Sequence, residues 1–225
     1  MKRNARIIHP FLSERSILFP VLLLCGLGII MVASASSAVS METHNTLYYY
    51  MKKQAVFCAV SIGVMFVTAS LPFQVYKKTS YLILLVAIIL LSAVLFPSLN
   101  VEAGGAARWL KIGGITFQPA EFAKLAIILF MGYSLSKKQV MIKDFSVGFF
   151  PHALIFSLFA GLIIIQPDFG TIVVIGAITW GMMFIAGVRI LHLLSPLPVF
   201  IPIVYFLVVK VDYRWERIKV FLNPW

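Results

Sequence analysis

Glu121 and Lys124 place a carboxylate and an ammonium three residues apart, at the entry to an apolar run from Leu125 to Met131. If that run is a membrane helix, both charges enter hydrocarbon. Each then costs roughly 2.5–3.5 kcal/mol on insertion scales and needs a partner or a purpose. On a helix the two share one face, about 4.5 Å apart along the axis. They can neutralise each other, or line a cavity in which the ammonium holds an anion. The preceding loop, Gly104-Gly105-Ala106-Ala107-Arg108-Trp109-Leu110-Lys111 and then Gly113 to Ala120, adds Arg108, Lys111 and Gln118. A later turn, Gln166-Pro167-Asp168-Phe169-Gly170-Thr171, adds Gln166 and Asp168. Cations gathered beside helix N-termini suit a phosphate-bearing ligand, because free N–H groups and the positive dipole end both attract anions.

The elements that must hold these residues are membrane helices. Apolar residues make up 61% of the 225 residues, against about 45–50% in a soluble domain. Mean hydropathy is +0.98. Seven spans are expected: 17–34, 54–71, 80–96, 120–136, 147–165, 171–187 and 193–209. Each is near the lower end of the length that crosses a ~30 Å hydrocarbon core. Backbone groups in lipid must be satisfied within the segment, so the expected class is all-α. The chain reads as a single transmembrane domain over 1–225, a polytopic helix bundle. Ten-residue alternation of the β-barrel kind is not seen.

Lysine and arginine orient the bundle. With the N-terminus in the cytoplasm, the inner segments hold Lys2, Arg3, Arg6, Arg15, Lys77, Lys78, Lys137, Lys138, Lys143 and Arg189. The outer loops hold Lys52, Lys53, Arg108 and Lys111. Residue 225 then lies outside, and the tail brings Lys210, Asp212, Arg214, Glu216, Arg217 and Lys219 to the outer face. The bias supports a cytoplasmic N-terminus. Spans 4 and 6 both start at the outer face, and Pro119 and Pro167 suit such helix entries. The physics alone points to an anionic lipid or lipid-linked substrate handled outside.

Plainer readings stand beside these. Arg108 with Trp109 can be an interfacial anchor, and Asp168 a turn and helix-start residue. Gly104-Gly105 and Gly113-Gly114 can serve only as sharp turns. They do not make a phosphate loop, since no strand is expected before them. His9, His44, His152 and His192 are scattered, which argues against a histidine metal site. Cys25 and Cys58 are expected at different depths as buried thiols. The net charge of +11 is spread over short loops on both faces, which argues against nucleic acid and for membrane lipid headgroups. Span 1 resembles a signal peptide in its basic start and Ala33-Ser34-Ala35, but its apolar run is long for one. Pro196, Pro198 and Pro202 predict a kinked span 7. Trp215, Ile218 and Leu222 predict a short amphipathic helix in the tail.

Five pieces, in order, closely resemble the SEDS family of bacterial cell-wall proteins (shape, elongation, division and sporulation). They are Ile30 to Ser36, Gly105 to Trp109, Phe117 to Glu121, Gln166 to Thr171, and Tyr213-Arg214 with Phe221 to Trp225. Gln118-Pro119-Ala120-Glu121 leans toward the division members. The resemblance implies ten membrane helices in the bacterial inner membrane. It implies a peptidoglycan glycosyltransferase that polymerises lipid II into glycan strands on the outer face, one lipid II giving up its undecaprenyl diphosphate. It assigns Arg108, Glu121 and Lys124 to substrate binding. Gln118, Gln166, Asp168 and Lys111 are candidates for a surrounding shell. The implied partners are a class B penicillin-binding transpeptidase and other divisome proteins. No cofactor is required by these residues, and a divalent cation such as Mg2+ fits the full-length protein. The family's general-base carboxylate lies in an outer loop after span 7, beyond Trp225. Asp212 and Glu216 are not at its place, so no catalytic base is assigned and the chain is expected to be an inactive fragment. A lipid II flippase and a non-catalytic divisome scaffold are the alternatives.

Overall fold

The computed structural model describes residues 10–103, 106–112, 115–198 and 202. It contains α1 (Pro10–His44), α2 (Tyr49–Ser70), α3 (Phe73–Ala93), β1 (Asn100–Ala103), β2 (Ala106–Ile112), β3 (Ile115–Phe117), α4 (Pro119–Lys137), α5 (Phe150–Ile164), α6 (Phe169–Ala186) and α7 (Ile190–Leu194). A π turn, Phe145–Phe149, leads into α5. Five segments are long and apolar enough to cross a membrane: Ile17–His44, Tyr49–Ser70, Phe73–Ala93, Phe145–Ile164 and Phe169–Ala186. α4 has 19 residues and takes two charges into its first two turns. The chain is a membrane helix bundle, as its composition requires. The expected seventh span, 193–209, and the tail lie mostly or wholly outside the described residues.

Contacts divide the chain into two units, 1–72 and 73–225. In the first, α1 runs well past its expected end at residue 34. Its serine-rich second half is still helical, and there hydroxyls are satisfied by bonding back to the preceding turn, Ser36 to Val32 O and Thr43 to Val39 O. The helix stops at Asn45, whose φ is 52°, a left-handed conformation that Asn tolerates. Ser40 then stitches the turn, donating to Thr46 O and accepting from Tyr49 N–H. His44 stacks on Tyr49 with ring centroids 3.7 Å apart. Cys25 and Cys58 correct the reading from sequence. Their thiols interact and line one cavity between α1 and α2, because the two helices align these positions.

The second unit has the interior. α4 buries Ala120, Ala123, Ala126, Ile127, Phe130, Met131 and Ser134, a helical stripe of i, i+3 and i+4 steps. Its alanines let α3 approach closely through Leu84, Ala87 and Leu91. α5 contributes Phe156, Phe159 and Ile163, and α6 contributes Ile175 and Met183. One polar contact sits inside this packing. His152, 0% exposed, lies 3.0 Å from Ser134 Oγ through Nε2 and 2.8 Å from Gly148 O through Nδ1. The carbonyl can only accept, so Nδ1 donates and Nε2 accepts from the serine.

The loop before α4 holds the element that sequence reading missed. β1, β2 and β3 form an antiparallel sheet in that order, so a strand does precede Gly104. The pairs between the strands, Gly104-Gly105 and Gly113-Gly114, lie outside the described residues. A strand rather than a helix follows each, so the pattern remains unlike a phosphate loop.

Candidate functional site

Arg108 is placed by an irregularity in the sheet. Val101 pairs with Trp109 and Glu102 with Ala107, which leaves Arg108 as the extra residue of a bulge. Bulges re-aim the side chain they carry. Here the guanidinium reaches the turn between α5 and α6. Its Nη2 donates to Pro167 O at 2.7 Å and its Nε to Gln166 O at 3.3 Å. A planar fork matches two neighbouring acceptors in a way that a lysine cannot.

The same turn is held from two other directions. Gln166 is 2% exposed, and its Nε2 donates to Leu91 O near the end of α3 at 3.0 Å. Gln118, the residue before α4, donates through Nε2 to Asp168 Oδ2 at 3.2 Å. Asp168 also caps α6, accepting from Thr171 N–H at 3.3 Å and from Thr171 Oγ1 at 2.9 Å. A carboxylate at this position satisfies an unpaired N–H and complements the dipole. Four of the candidate residues, Arg108, Gln118, Gln166 and Asp168, therefore form one hydrogen-bonded network. It ties α3, β2, α4 and α6 together at one end of the unit. The parallel starts of α4 and α6 meet there, as their polarity in the sequence requires.

Glu121 and Lys124 form the expected pair one turn into α4. Lys124 Nζ lies 2.7 Å from Glu121 Oε2 and 2.8 Å from Oε1. The lysine side chain is 25% exposed and the glutamate 58%. Lys111 stands apart. It pairs with Thr116 across β2 and β3 and is exposed, while its neighbour Leu110 is buried, as strand alternation dictates.

Among the described residues, no three His, Cys, Asp or Glu side chains cluster as metal ligands. Both oxygens of Asp168 are engaged, and Glu121 is held by Lys124. Among the described residues, this donor set does not fit a divalent cation.

The sequence decides the family. Residues 15–225 match the FtsW/RodA/SpoVE family, described as cell cycle protein. The chain belongs to this family. It is 38% identical over 208 residues to a probable peptidoglycan glycosyltransferase FtsW of Trichlorobacter lovleyi, covering 92% of this chain and 55% of that protein. It is 37% identical over 209 residues to the protein of that name from Geobacter sulfurreducens, covering 93% and 56%. The chain thus spans about half the length of the curated relatives it matches. Among solved structures, it resembles a chain of a peptidoglycan synthase complex with a TM-score of 0.62 at 23% identity, over 88% of this chain and 59% of that one. It resembles the rod shape determining protein RodA of Thermus thermophilus with a TM-score of 0.59 at 24% identity, over 78% and 58%. At such identities these two comparisons establish the family's fold.

The hydrogen bonds separate the candidate residues by role. Arg108 spends two donors on backbone carbonyls, and Asp168 is engaged by Thr171 as a helix cap and by Gln118. The pair on α4 is partly exposed and can rearrange around an anion. The Ser134–His152 contact was missed in the sequence, where a serine and a histidine 18 positions apart give no periodic signal.

Proposed function

We propose that this chain forms the N-terminal membrane part of a peptidoglycan glycosyltransferase that polymerises lipid II during cell division. The observation that carries the reading is the match to FtsW-named glycosyltransferases over more than nine-tenths of the chain. The site described above is its outer-face half, with the N-terminus of α1 in the cytoplasm of a bacterium and the starts of α4 and α6 facing out. Lys124 offsets charge on a lipid-linked diphosphate, as a fixed cation does where negative charge develops. Glu121 holds that ammonium in place. Arg108, Gln118, Gln166 and Asp168 position the two helix starts, with Lys111 adding positive field from the loop. The catalytic carboxylate belongs to the half of the relatives' length that this chain does not span. A class B penicillin-binding transpeptidase is the proposed partner, with other divisome proteins.

The test is reconstitution of a protein of the relatives' full length carrying this sequence, supplied with labelled lipid II. Glycan polymer in detergent supports the reading, and its loss in Lys124→Ala with folding intact supports the role of that lysine. Movement of lipid II across liposomes without polymer would replace the reading with transport. Normal division by a variant that makes no polymer would replace it with a scaffold.

A further inference from the structure

The other end of the second unit carries chemistry that glycan synthesis leaves unused. α3 begins there and α4 ends there. Between them, with Met182 of α6, lies a cavity of about 220 Å³. Its walls are almost wholly apolar, from Phe73, Ile128, Leu129 and Met182, and none of its lining residues is acidic. Gly132 and Ser136, one turn apart on α4, leave the helix surface low and open the slot. The one charged residue in the lining is Lys77. Its Nζ sits 5.0 Å from the centroid of Phe73, one turn earlier on the same helix. On the facing helix, Lys137 Nζ lies 5.9 Å from the ring of Tyr133, which also lines the slot. Lys78 and Lys138 follow in sequence, so each helix carries two cations at this end, one of each pair near an aromatic ring.

Aromatic rings hold both ammonium groups without neutralising them. An apolar slot with cations beside it that no acid among the described residues pairs matches an amphiphile with a hydrocarbon chain and an anionic head. A neutral helix would fill the slot but give the lysines no counter-charge. A soluble anion would meet the lysines but gain nothing from the slot. We propose that this groove binds an anionic phospholipid of the surrounding leaflet, with an acyl chain between α3 and α4 and its phosphate at Lys77. The groove lies at the opposite end of α3 and α4 from the Arg108 network.

Native mass spectrometry of the detergent-purified full chain tests this. The probes are phosphatidylglycerol and phosphatidylcholine with identical acyl chains, in equal amounts. The wild type should retain the anionic lipid several-fold more than the zwitterionic one. Lys77→Gln should bring the ratio close to one, and Lys77→Arg should restore it. Gly132→Leu, which fills the slot, should lower retention of both lipids. Lys143→Gln, an exposed lysine of the same unit outside the groove's lining, should leave the ratio unchanged. Equal retention of the two lipids by the wild type would overturn the proposal, whatever the variants do. So would an undiminished preference in a monodisperse, helical Lys77→Gln protein.

Discussion

Gln118 and Asp168, 50 positions apart, join the start of α4 to the start of α6 through one hydrogen bond of 3.2 Å. The bond couples a chain entry to a helix cap, because the oxygen that accepts from Gln118 also accepts from Thr171 Oγ1. A change at either residue is therefore felt at both helices.

Asp168→Ala should lower thermal stability in detergent. It removes an N-cap, worth about 1 kcal/mol, and strands the amide of Gln118. Asp168→Asn keeps a side-chain oxygen for Thr171 N–H and should lose distinctly less. Melting followed by circular dichroism or a thiol-reactive dye compares the two. Equal losses would mean that charge, not capping geometry, sets the effect.

Arg108→Lys should behave like Arg108→Ala. The clamp needs two donors on a rigid fork, aimed at the carbonyls of Gln166 and Pro167, and an ammonium is a single point of charge. Polymer yield and complementation of a depletion strain, both with the full-length protein, read this out. Wild-type behaviour of Arg108→Lys would return Arg108 to a purely electrostatic role.

Gly148→Ala should destabilise the protein by roughly 1–3 kcal/mol, the usual cost of overpacking. A Cβ there would stand 1.9 Å from the backbone oxygen of Ile142. No rotamer change can relieve a clash with backbone, so the π turn before α5 must shift. His152 would feel this, since its Nδ1 donates to Gly148 O. Gly161→Ala, inside α5 where nothing lies within 4 Å, is the control and should melt no lower than the wild type.

Apolar runs of membrane-crossing length made α2 to α6 legible, to within a few residues at most ends, because lipid demands such runs. The i, i+3 spacing made the Glu121–Lys124 pair legible for the same reason. The sheet was not legible. Its strands are short, and the glycines between them signal turns without saying what flanks them. Nor could sequence tell that Arg108 is bulged toward Pro167, because register depends on pairing with Val101 and Glu102. The contact of Cys25 with Cys58 depends on how α1 and α2 align, which apolar runs without polar landmarks leave open.

Structure and chemistry separate at Lys124. The pair with Glu121 is partly exposed, and pairs of that kind contribute at most about 1 kcal/mol. Glu121, more than half exposed, can be solvated when its partner is removed. Lys124→Ala should therefore shift the melting temperature by only a few degrees. In the full-length protein it should still impair polymer synthesis more than Lys111→Ala. Lys124 is three-quarters buried on a helix, where its attraction for a diphosphate is less screened, whereas Lys111 lies on an exposed strand position. The double change Glu121→Gln with Lys124→Met removes both charges and leaves neither stranded. It should fold and remain as impaired as Lys124→Ala. Recovery of full polymer yield in that double variant would make the pair structural and remove Lys124 from substrate binding.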